Sequence, residues 1–160
     1  MNEDLSWSLI ESAWDEVGGY KKQRSRLAVG TLPGEDAEGL VAALDEVIPA
    51  LRARLDRLSA DELLALDRIL ERKLYDLDRA EVQEATDGSD DGFLYARGFI
   101  VAAGRSYYDA VNREPAIALM DLECEELCYL SRHLYQEKYG EVPDSGISRE
   151  SRSNSAGWPE

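Results

Sequence analysis

Apolar residues recur every three or four positions along most of the chain, and that rhythm stops about twenty positions before its end. Trp7, Ile10, Trp14 and Val17 fall on one side of a helix over 5–17, since residues three or four apart stack on one helical face. Gly18-Gly19 ends it. The stretch to about Gly34 reads as a loop holding Lys21, Lys22, Arg24 and Arg26 without an acid, expected to lie against the protein's own carboxylates. From Glu35 to Leu58 the positions Leu40, Leu44, Val47, Ile48, Leu51, Leu55 and Leu58 follow the helical period. Pro49 removes one backbone donor there, so the helix is expected to kink or split.

Ser59-Ala60-Asp61-Glu62 has the form of a capping box, in which the serine hydroxyl accepts from the amide of Glu62 and the glutamate reaches back. A helix starting near 60 carries Leu63, Leu66, Leu70, Leu74 and Leu77 on one stripe and is expected to continue, bent or broken, to about Ala85. After the turn at Thr86–Gly92, Phe93, Ala96, Phe99, Ile100, Ala103, Tyr107, Ala110 and Val111 form the most apolar face, predicting a central helix. Pro115 suits the first position of a last helix, because an amide there has no partner to lose. Met120, Cys124, Leu127, Ser131 and Leu134 line that helix and Gly140 caps it. No segment sustains the two-residue alternation of a strand. The expected fold is all-α, a single-domain bundle of five or six helices over 1–140, with 141–160 a flexible, disordered C-terminal tail rich in Ser, Gly and Pro.

Composition narrows what the chain does. Its 160 residues allow one core, and no apolar run reaches the ~20 residues that span a bilayer. The amino end, Met1-Asn2-Glu3-Asp4, lacks the basic-then-apolar order of a secretion signal, so a cytoplasmic location is expected. A formal charge of −15 argues against nucleic acid, whose phosphates need Lys or Arg, and suits a basic protein partner. Oligomeric state leaves no mark on the sequence.

The order Trp7-Ser8-Leu9-Ile10, Leu58-Ser59-Ala60-Asp61-Glu62-Leu63, then Gly88-Ser89-Asp90-Asp91-Gly92-Phe93 running on to Gly104-Arg105 and Glu114-Pro115 resembles the bacterial family called domain of unknown function 4240. The likeness covers roughly residues 5–142. Ser6 stands where the family usually has Phe, and Ala96-Arg97-Gly98 replaces a Phe-Arg-x-Trp pattern. The resemblance implies a fold and a bacterial origin and carries no activity with it.

Candidate chemistry concentrates between 87 and 113. Asp87 to Gly92 has the oxygen spacing that opens a calcium loop, but the twelfth position is Gly98 where a bidentate Glu belongs. Ser89 as an N-cap with Asp90 and Asp91 in the first turn explains the same residues, because carboxylates there meet unpaired amides. Residues 59–91 hold eleven acids against four bases, a net of −7, while 92–113 hold Asp109 against Arg97, Arg105 and Arg113, a net of +2. Arg97 and Arg105 are therefore expected to pair with Asp90 and Asp91, or to form with Ser89 and Tyr108 a groove for a polar or anionic ligand. Adjacent helical positions diverge by about 100°, so Asp90 and Asp91 do not face one substrate as a catalytic pair. Cys124, Cys128 and His133 do not share a helix face, so no metal is expected, and no cofactor motif occurs. Without a nucleophile elbow, phosphate loop or HExxH string, the reading leans toward a non-catalytic adaptor or immunity-type factor with acidic faces at 59–91 and 121–126. The alternative is a small-molecule or anion-binding enzyme or sensor built on the Asp/Arg groove at 89–105.

Overall fold

The apolar stripes become helices wherever they find a neighbour to cover them. A computed structural model gives the arrangement and describes residues 1–86 and 89–159, apart from the side chains of Asp90 and Asp91. Among these residues there are eight α-helices and no strand: α1 (Glu3–Val17), α2 (Lys21–Ala28), α3 (Gly34–Leu55), α4 (Ala60–Asp76), α5 (Ala80–Thr86), α6 (Asp90–Ala102), α7 (Arg105–Arg113) and α8 (Glu125–Tyr139). Short 3-10 turns occupy Pro115–Ile117 and Ser155–Gly157. Among the described residues no helix is long and apolar enough to cross a membrane.

The count exceeds the five or six expected, for three local reasons. Residues 21–28 form α2 rather than a loop; Lys, Gln, Arg and Ala favour helix, but with Leu27 as its one buried side chain the segment is too short to show a period. The central apolar run is cut in two at Gly104, whose φ of 108° suits a residue without a side chain. The helix that starts at Ala60 breaks after Asp76, so that α5 stands as a separate helix. Without changing the count, the last helix begins at Glu125 rather than Pro115, because Pro115 opens only a 3-10 turn and extended chain follows. In the opposite sense, α3 runs unbroken through Pro49. Leu44, Val47, Leu51 and Leu55 are buried on both sides of the proline, and their packing holds the helix together there.

Each helix end shows its cause. Asn2 caps α1, and the Ser59 box closes α4 with both of its hydrogen bonds. Gly140 stops α8 in the left-handed conformation. α1 lies along α3, α8 packs directly on both α4 and α6, and α2 covers α7. Gly98 permits the close approach of α6 to α8: a Cβ there would strike the Cys124 carbonyl and lie 2.6 Å from the Cys128 thiol. Trp7, Ile10, Trp14, Phe93, Phe99, Ile100, Tyr107 and Leu134 share one core.

Residues 141–159, assigned from sequence to a flexible tail, lie against α4, α6 and α8 in this structure. Arg149 is buried, and the Trp158 ring meets Phe93 edge-on at 5.9 Å.

Candidate functional site

The residues singled out between 87 and 113 go to different places. Asp87 and Gly88 lie outside the described residues, as do the side chains of Asp90 and Asp91, and with them the calcium-like spacing and the proposed aspartate pairing. Ser89 is the N-cap of α6, its hydroxyl accepting from the Gly92 amide at 3.2 Å.

Arg97 is fully enclosed. Its guanidinium donates to the Leu74 carbonyl at 2.8 Å, the Arg149 carbonyl at 3.0 Å and the Ser151 hydroxyl at 3.2 Å. Burial pulls its pKa below the usual arginine value, against the opposing pull of Asp78. The same C-terminal segment enters a pocket of acids. Arg149 sits 3.0 Å from Glu71 and 3.6 Å from Asp67, and it also donates to the Cys128 carbonyl. Asp67, which accepts from Ser131 at 2.7 Å, has its pKa raised by burial. Asp78, also buried, accepts from the amides of Arg152 and Asn154 at 2.9 Å each and from the Trp158 indole at 3.0 Å. The inward acids of 59–91 are thus engaged by the chain itself.

Arg105 lies elsewhere, exposed at the start of α7. It pairs with Asp4 at 2.7 Å and Asp109 at 3.6 Å, and it shares no groove with Arg97. It lines a cleft of about 580 Å³ between α1, α2 and α7, with Lys21 and Arg24 beside it and Asp4, Glu11 and Asp15 across from them. Arg24 is pinned here by both Glu11 oxygens at 2.7 Å, the Ala103 carbonyl at 3.0 Å and the Trp14 ring at 4.7 Å. Tyr108 does not line this cleft. Its buried ring packs on Trp7 at 5.3 Å with the Lys73 ammonium 5.2 Å away, and burial, followed by Asp76, raises its pKa.

A second opening of about 350 Å³ lies between α3 and the start of α8. Val41, Leu44, Ile48 and Pro49 form its apolar side and the exposed carboxylates of Asp45, Glu123 and Glu126 its rim. Pro49 has no amide to give to the Asp45 carbonyl one turn back, so that oxygen too lacks its helical donor. Among the described residues no lysine or arginine lines the opening. Cys124 at its edge and Cys128 behind it are buried thiols, each with its pKa pushed up to about 12 by burial, so both stay protonated. His133 is exposed and stacks on Tyr129, and among the described residues no three His, Cys, Asp or Glu side chains converge on a metal position.

Compared with known families, residues 35–137 match the one described as "Protein of unknown function (DUF4240)". The chain belongs to this family. Neither a curated protein nor a solved structure gives a match. The DUF4240 span runs from the first turn of α3 nearly to the end of α8. It holds Ser89, Arg97, Arg105 and Tyr108, and it contains the whole acid-rimmed opening. The Arg105 cleft takes its α1 and α2 walls from outside the DUF4240 span.

Sequence reasoning had no route to Asp78 or Arg149, whose partners lie more than seventy positions away or on main-chain oxygens. The basic run at Lys21–Arg26 did carry a signal, and its Arg24–Glu11 pair is the expected contact with the protein's own acids.

Proposed function

We propose that this protein is a non-catalytic, protein-binding factor of the adaptor or immunity type, and that it receives a basic segment of its partner in the opening between α3 and α8. One observation carries the reading: that opening offers an apolar floor and a rim made only of acceptors. Such a lining suits lysine or arginine, whose aliphatic stem lies along apolar surface while the charged head reaches the carboxylates. The net charge of −15 would steer a basic partner toward the protein over longer range. Of the two acidic faces expected from sequence, 59–91 turns Asp67, Glu71 and Asp78 inward, whereas Glu123 and Glu126 remain exposed.

The test uses a fluorescent amphipathic helical peptide of lysine and leucine, followed by anisotropy at low salt. Glu123→Lys with Glu126→Lys is expected to weaken binding by more than about tenfold. Glu16→Lys with Glu141→Lys makes the same change of charge at exposed positions away from that opening and is expected to leave binding nearly unchanged. Equal losses in both variants would mean that charge alone attracts the peptide, and the opening would have no special part.

A further inference from the structure

The cleft between α1, α2 and α7 is electrically two-sided. Its α1 wall contributes only acids, Asp4, Glu11 and Asp15, together with the Ser8 hydroxyl. The facing wall from α2 and α7 contributes only bases, Lys21, Arg24 and Arg105, with the hydroxyls of Ser25 and Ser106. Three of each sign make the lining neutral within a strongly acidic protein.

Two internal pairs, Arg24–Glu11 and Arg105–Asp4, brace the walls. They leave charge over on both sides: among the described residues neither Lys21 nor Asp15 has an ion-pair partner, and both also line an adjoining cavity of about 190 Å³. The Arg24 guanidinium is held by Glu11 and Ala103 through Nη2 and Nε, so its Nη1 donors remain for a guest. On the same wall α7 starts at Gly104 without a side-chain cap. Trp7, Ala103 and Tyr107, all buried, give the cleft an apolar base.

We propose that this cleft binds a short zwitterion of dipeptide size, its carboxylate toward Lys21, Arg24 Nη1 and Ser106 and its ammonium toward Asp15 on α1. A neutral lining neither repels such a molecule nor needs a counter-ion, whereas a simple anion would meet the field of the whole protein. A volume near 580 Å³ lies within the usual range for small-molecule sites, roughly 300–1,000 Å³.

The experiment is calorimetric and 15N-NMR titration of the full chain with glycyl-leucine, N-acetyl-glycyl-leucinamide, inorganic phosphate and spermidine. Glycyl-leucine is expected to bind and to shift the amides of 21–25 and 103–107, and the uncharged analogue is expected not to. Lys21→Met and Asp15→Asn, both at exposed positions without described partners, should each weaken glycyl-leucine about tenfold at an unchanged melting temperature, the usual loss for one charge-assisted hydrogen bond. Equal binding of the uncharged analogue would overturn the proposal. So would phosphate or spermidine binding where glycyl-leucine does not, failure of all four to bind, or indifference to both substitutions.

Discussion

Arg97 shows how a buried cation is kept charged without a carboxylate in contact. Two main-chain carbonyls and one hydroxyl accept from its two Nη atoms, while its buried Nε has no partner among the described residues, and Asp78 contributes at longer range. Arg97→Met keeps much of the volume but orphans the carbonyls of Leu74 and Arg149. It is expected to destabilise the fold by about 3 kcal/mol, read from urea unfolding. Asp67 gives a prediction in pH. Burial raises its folded pKa above the unfolded one, so ionising it as pH rises through the raised value weakens the fold. Asn keeps a hydrogen-bonding oxygen for Ser131 and cannot ionise. Asp67→Asn should therefore match the wild type in acid, below the unfolded pKa, and exceed it at neutral pH; a stability difference that stays flat with pH would refute this. Arg97 could be singled out from sequence because it is one of three bases in a stretch, 92–113, that holds a single acid. Its partners could not, because backbone oxygens at 74 and 149 leave no mark on a pattern of side chains.

The start of α4 is legible in its side chains and the end of α8 in Gly140, whereas the break between α6 and α7 is hidden. Ser59 and Glu62 announce the start of α4, and both hydrogen bonds of the box form. The α6–α7 break is silent, because Phe99, Ala103, Tyr107 and Ala110 keep a helical spacing straight across it. What divides the two helices is the conformation of Gly104, with Arg24 and Trp14 holding the carbonyls of Ala103 and Ala102. Gly104→Ala would put a methyl group at a positive φ and into contact with Arg24 and Glu11. The expected loss is about 2 kcal/mol, seen as a lower melting temperature, with the α1–α2–α7 cleft disturbed more than the distant α8 in hydrogen exchange. α3 makes the converse point. Its proline was easy to see, but the burial that overrides it depends on what α1 and α8 place alongside.

The all-helical architecture followed from periodicity alone, whereas the arrangement of the charges did not. Eleven acids between 59 and 91 look from sequence like one solvated face, yet Asp67, Glu71 and Asp78 point inward to meet Arg149 and the backbone beyond it. Asp78→Ala removes the acceptor for two amides and the Trp158 indole, and should unfasten 150–159 without unfolding the helices. Trypsin cleavage after Arg149 and Arg152 is then expected to quicken about tenfold while helical circular dichroism stays the same; an unchanged cleavage rate would show that Asp78 does not hold the segment. Every described α-helix precedes Arg149 in the chain, so a chain ending short of it lacks the partners that Arg149 gives to Asp67, Glu71 and Arg97. A fragment ending at Gly140 is therefore expected to leave those side chains open to water and to melt below the full chain.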